Sequence, residues 1–211
     1  EMCIRDRIDL TSSVQIQRGL GSTSLAVPSA GGTVSVNTRA AEVDPGSGIK
    51  MSVGDNSYQK FTAFHNTGVN ELGWSSSFLL GFWQGDGWRN GMQGEGTTYA
   101  FSVGYTPRGS DHEFNFSLIG AGQWHHQAYY GTQLQDYLDY GPIQGDDFRK
   151  FNALYGEYQG EEFSILRNYY NKPLATINWD WEISSRVTLA TSFYGSAGRG
   201  GGTGLRGRGS F

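Results

Sequence analysis

The sequence predicts an all-β chain: about seven strands of an antiparallel transmembrane β-barrel, preceded by a separate small unit. Three observations predict it. Successive segments alternate apolar and polar residues with period two. The connections between them are short on one side and long on the other. Every aromatic residue lies at or beyond Tyr58, so a ring-free segment meets a ring-rich one.

Composition sets the frame. The 211 residues include 32 Gly, 12 Phe, 12 Tyr and 6 Trp, but only 5 Pro. That is roughly twice the usual glycine share and has no collagen period, which favours many strands and turns. Mean hydropathy is negative. This agrees with a barrel, because half of each strand faces a polar lumen. No run approaches the ~18 apolar residues of a spanning helix. A formal charge of −4 supplies no attraction for nucleic acid. The single cysteine, Cys3, excludes a disulfide framework and a thiolate metal site. It sits within residues 1–7, Glu-Met-Cys-Ile-Arg-Asp-Arg, which share no character with the rest of the chain. This heptapeptide resembles the translated adapter end of transposon-based DNA libraries and is set aside as non-native. Amplifying the genomic locus across these codons tests that assignment; an uninterrupted gene carrying them would sink it.

Residues 8–45 form the first unit. Val14 and Ile16 share one face of a short strand, and Val34 and Val36 share one face of another. A loop of small residues between them ends at Gly31-Gly32, a pair that permits close backbone approach. The boundary falls near Asp44-Pro45-Gly46-Ser47-Gly48, which has turn and linker chemistry.

Residues 46–211 form the second unit. Ile49, Met51 and Val53 alternate with Lys50, Ser52 and Gly54, and residues 58–65 read as the return strand. Trp74, Ser76, Phe78, Leu80 and Phe82 share a face. Tyr99, Phe101, Val103 and Tyr105 form an aromatic face, and Phe114, Phe116 and Leu118 continue it on the next segment. Ile177, Trp179, Trp181 and Ile183 oppose Thr176, Asn178, Asp180 and Glu182, and Val187, Leu189, Thr191 and Phe193 keep the pattern. Trp at adjacent same-face positions suits a lipid-facing band bounded by aromatic girdles better than a soluble core. Short turns are expected near 68–72, 107–112 and 184–186, and long links over about 84–96 and 123–172. A link that long must be partly structured. Asp146-Asp147 are expected to cap a short helix with Phe148, Phe151, Leu154 and Tyr155 on one stripe. Leu134, Tyr137 and Leu138 have similar spacing. The Gly/Arg stretch over 198–209 reads as a loop rather than a nucleic-acid tract.

Val14-Gln15-Ile16-Gln17-Arg18-Gly19-Leu20-Gly21, and then Pro28-Ser29-Ala30-Gly31-Gly32-Thr33-Val34-Ser35-Val36-Asn37-Thr38-Arg39, resembles the C-terminal end of the plug domain of TonB-dependent outer-membrane receptors. The variant is similar to receptors of Bacteroidetes, as are Asn168-Tyr169-Tyr170-Asn171-Lys172-Pro173 and the glycine-rich run after Gly198. The resemblance covers about residues 9–204. It implies a barrel of about 22 strands closed by a plug, of which this chain carries the end of the plug and the first barrel strands. It implies bacterial outer-membrane localisation and contact with outer-membrane lipid. Uptake of a scarce ligand, such as a siderophore, haem, cobalamin or an oligosaccharide, would be driven by TonB with ExbB and ExbD through a segment upstream of this chain. Passive porins and other barrels without TonB coupling are the alternative class.

The resemblance also places plug–barrel contacts at Arg18, Gly19, Gly31 and Gly32, with Arg18 pairing a carboxylate of the barrel wall because a buried guanidinium needs one. Arg18→Ala is expected to loosen plug seating in the complete receptor; unchanged seating would reject the pairing. Trp124, His125 and His126, with Tyr129 and Tyr130 beyond them, are the candidate ligand contacts. Adjacent histidines on a strand point to opposite faces, so they do not chelate one metal. Asp146, Asp147, Glu161 and Glu162 lack calcium-loop spacing. No cofactor, metal site or catalytic set is expected, and no Ser-His-Asp or paired-carboxylate motif is present.

Overall fold

The computed structural model describes residues 13–18, 32–37, 44–128 and 131–204. Residues 1–7 and the predicted contacts at Gly19, Gly31, Tyr129 and Tyr130 lie outside the described residues, as does the side chain of Arg18. β1 (Ser13–Arg18) and β2 (Gly32–Asn37) pair antiparallel with each other, Arg18 opposite Gly32.

The remaining long strands make one antiparallel sheet. β3 (Gly46–Val53), β4 (Gln59–Asn66), β5 (Trp74–Gly85), β6 (Gly94–Tyr105) and β7 (His112–His126) succeed each other as nearest neighbours. The chain then leaves the sheet for residues 127–166, through α1 (Leu134–Gln144) and a hairpin of β8 (Tyr155–Tyr158) and β9 (Glu161–Ser164). It returns as β10 (Arg167–Asn171) and β11 (Leu174–Ser184), both paired to β7. β12 (Val187–Ser196) and β13 (Arg199–Gly202) pair with β11 and β10 respectively. β10 with β11, and β12 with β13, therefore act as two long strands, each interrupted once. Pro173 marks the first break, since it has no N–H to give the ladder. Counted this way, the sheet has the seven strands expected from the alternation.

Register brings the apolar residues onto one face. Met51 pairs with Phe61, which pairs with Phe82. Phe78 pairs with Phe101, and Phe101 with Leu118. Phe116 pairs with Ile177, and Ile177 with Phe193. The same face carries Trp74 stacked on Tyr105, with ring centroids 4.3 Å apart. It also carries a group at the same end of the sheet, where His112, Phe114, Trp179 and Trp181 lie against one another. Since side chains alternate strictly, one slipped strand would put its rings on the wrong side.

The opposite face is small and polar. Along β6, Thr98, Ala100 and Ser102 are buried while Phe101 is 43% exposed. Side chains converge on the concave side of a curled sheet and diverge on the convex side, so the polar face is the concave one. Several of its hydroxyls and amides pair with one another, within and across strands, while the buried Ser75 hydroxyl has no partner among the described residues. Ser102 Oγ and Ser117 Oγ are 3.0 Å apart, Ser117 donates to Asn115 Oδ1 at 3.0 Å, and Ser192 donates to Asn178 Oδ1 at 2.7 Å. Leu79, Ala100 and Ile119 form an apolar row within this face.

The turns fall where expected, but the long links are shorter than the sequence suggests. The strands run on to Gly85, from Gly94, to His126 and from Arg167, leaving links of 86–93 and 127–166. The stripe of Phe148, Phe151, Leu154 and Tyr155 is not a helix. Asp147 caps it as expected, accepting from the Arg149 N–H at 3.1 Å, but only a 3-10 turn, Phe148–Lys150, forms before the chain turns extended at Phe151. The helix belongs to Leu134–Gln144. Arg199–Gly202, expected in a loop, is a paired strand.

The two long links are fastened to each other. Asn152 is fully buried, and its Nδ2 donates to the Asn90 carbonyl at 2.9 Å while its Oδ1 accepts from the Leu154 N–H at 3.1 Å. The Gln144 amide holds the Asn152 backbone from both sides, at 3.0 Å and 2.9 Å. Asn90 N–H donates to the Lys150 carbonyl at 2.9 Å. Gly91 takes φ +68°, and a Cβ there would overlap the Tyr155 ring. Phe151 and Leu154, on either side of Asn152 and Ala153, are buried as well.

Candidate ligand-binding rim

The strand ends that carry the long links form a rim with two chemically different sides. On the concave side, register aligns Gly85, Gly94 and His125 in one row and Trp83, Gly96 and Gln123 in the next. Glycine in the middle of each row leaves space, and rings fill its margins. Trp83 lies across Gly96, whose Cβ position its indole nitrogen occupies, and Tyr58 packs against Gly85 and Gly54. With Trp88 and Met92 from the 86–93 link, these residues line a pocket of about 380 Å³.

Local structure fixes the rings. The 54–58 turn closes through Gly54 N–H to the Tyr58 carbonyl at 2.9 Å, with Asn56 and Ser57 at positive φ. Asp86 N–H donates to the Asn56 carbonyl at 2.9 Å, tying that turn to the next link. Lys150 places its ammonium 5.5 Å from the centre of the Trp88 ring, so the long link reaches the pocket edge. The surface presents aromatic faces and a histidine, which suits stacking on a flat or sugar-like ligand.

The predicted contact residues are divided between the two sides. His125 faces the concave pocket. Trp124 and His126 face the convex side, with ring centroids 5.3 Å apart. Trp124 donates its indole N–H to Glu95 Oε1 at 2.7 Å, and the Arg167 guanidinium lies 4.3 Å over its ring. Among the described residues, no three His, Cys, Asp or Glu side chains converge on a metal position. Tyr58, Trp83 and Trp88 were not singled out from the sequence. Trp83 carried a signal, because it is the one ring of its strand out of phase with Trp74, Phe78 and Phe82.

The ionisable groups near the long link are structural. Burial, then the neighbouring Glu162 carboxylate, pushes the Tyr155 phenol above its ordinary pKa and keeps it neutral. The Arg149 guanidinium bonded to Asp147, 2.7 Å away, holds that half-buried carboxyl below its ordinary value.

No family model and no curated protein sequence matches the chain. Among solved structures it is similar to the ferric-catecholate import receptor Fiu from E. coli K12 in its open form, with a TM-score of 0.67 and 14% identity. The match covers 90% of this chain and 29% of that one, so the chain spans under a third of the receptor's length. At that identity the likeness is one of fold: the chain is built as a stretch of antiparallel barrel wall.

Proposed function

We propose that the chain belongs to an energy-coupled outer-membrane importer, in which the convex apolar face meets lipid and the concave polar face lines the lumen. The observation that carries this is the registered apolar face across all seven strands, backed by a hydrogen-bonded polar face. The plug-like sequence of residues 14–39 immediately before it supports coupling to TonB with ExbB and ExbD, since a passive porin has no use for such a segment. Residues 8–45 would then be the end of the plug, with Arg18, Gly19, Gly31 and Gly32 at its contact with the wall. The cargo would be a scarce ligand of the siderophore, haem, cobalamin or oligosaccharide kind. The Tyr58, Trp83, Trp88 and His125 pocket is its proposed rim contact.

Uptake by the complete gene product in cells with and without TonB tests the reading. Ligand accumulation is expected to fall to background when TonB is deleted. Accumulation that persists unchanged would replace the importer with a passive channel.

A further inference from the structure

We propose that the convex side of the rim binds a lipid carrying a phosphate monoester, at a groove walled by Phe82, Trp124, Arg167, Tyr169, Asn171 and Arg199. The inference rests on the outer-membrane importer reading and adds a ligand that this reading does not require.

Two rows of the sheet build the groove. Glu95, Trp124, Tyr169 and Gly201 occupy one convex row; Phe82, Thr97 and Gly122, then Asn171 and Arg199, occupy the next. Gly122 contributes no side chain, so the floor is low there while Phe82, Trp124 and Tyr169 stand as apolar walls. The space is about 430 Å³, within the range of pockets that hold a small ligand or part of a larger one. It lies directly over the interruption between β10 and β11. Tyr99 reaches that point from below, its hydroxyl 3.4 Å from Asn171 Oδ1.

Position selects the ligand class. Towards the short turns, the convex face continues as Leu80, Phe101, Leu118 and Phe116, a band that belongs in hydrocarbon. The groove is therefore at the level where hydrocarbon gives way to head groups. There the chain places two guanidinium groups on the lipid side, where strand alternation turns them away from any lumen ligand. Arg167 is stacked on Trp124, which orients its planar fork. One carboxylate, Glu95, also lines the groove, and it is held by the Trp124 indole N–H. Among the described residues, two guanidiniums against one carboxylate leave the groove cationic. A guanidinium fork suits the several oxygens of a phosphate monoester better than the lone charge of a diester head group. The aromatic walls accept the first part of an acyl chain.

The test uses the complete receptor purified in detergent, with retained lipid read by native mass spectrometry. Lipid A, which carries phosphate monoesters, and phosphatidylglycerol, which carries one diester, are the probes. Arg167→Ala combined with Arg199→Ala is expected to weaken lipid A retention at least about tenfold and to change phosphatidylglycerol retention less than about twofold. Equal losses for both lipids would mean unspecific charge attraction and overturn the proposal, as would undiminished lipid A retention. If the double variant does not fold, dephosphorylated lipid A against the unaltered receptor decides the matter, and retention equal to that of lipid A overturns it. TonB-dependent uptake is measured in parallel. Uptake that stays intact while lipid A selectivity is absent defeats this inference alone. A receptor that does not fractionate with the outer membrane defeats the importer reading beneath it.

Discussion

Phe193→Arg is expected to destabilise the complete barrel protein in phospholipid vesicles by about 2–4 kcal/mol, whereas Ser192→Arg, one residue away, is expected to cost under about 1 kcal/mol. The two positions are neighbours on β12 and differ in face. Phe193 pairs with Ile177 on the convex face; Ser192 pairs with Asn178 on the concave face. An arginine at Phe193 must desolvate its charge in hydrocarbon or drag water and head groups to it. An arginine at Ser192 reaches the aqueous lumen and loses only one hydroxyl hydrogen bond to Asn178. Urea titration of the vesicle-embedded protein measures both. Equal losses, or the larger loss at Ser192, would reverse the assignment of lipid and lumen faces.

Asn152→Ala is expected to open the long link while leaving the sheet intact. The substitution strands the buried Leu154 N–H and the half-buried Asn90 carbonyl, and an unpaired buried group costs about 1–3 kcal/mol. At that cost the closed arrangement of residues 127–166 is less populated by roughly tenfold or more, and proteolysis tracks the open population when reclosure is fast. Limited proteolysis should therefore cut within that link at least about tenfold faster, with the barrel fragments otherwise unchanged. Gly91→Ala, which must move the Tyr155 ring and hold an unfavourable positive φ, should act in the same direction. Cleavage at the unaltered rate in both variants would show that the links are not held by this contact.

The sheet was legible in the sequence because a membrane wall leaves a signal with period two. From Trp74 to Phe82, and again from Ile177 to Phe193, solvent type alternates residue by residue, and the structure keeps the same phase. The strands at the rim were not legible, for physical reasons. Arg199–Gly202 has no apolar side chain to alternate; its pairing is made by the backbone, with Tyr169 and Tyr170 covering Gly201 and Gly200. The stripe at residues 148–155 has helical spacing, yet the Gln144 amide captures the Asn152 backbone and turns the chain out of the helix. That partner lies in another element, so local pattern could not announce it. The candidate site divides likewise. Alternation alone separates His125 from Trp124 and His126, whereas Tyr58 and Trp88 reach the pocket through turns whose course depends on tertiary contacts.

The fastening of the 86–93 and 127–166 links has an evolutionary consequence. Loops on a barrel rim are the natural places to exchange sequence when a receptor changes its ligand. Here Asn90 and Gly91 on one link are shaped to Gln144, Asn152 and Tyr155 on the other. A recombination event that imported either link alone would bring in half of a matched surface and leave buried amides without partners. These two links should therefore be inherited, and be grafted successfully, only as a pair.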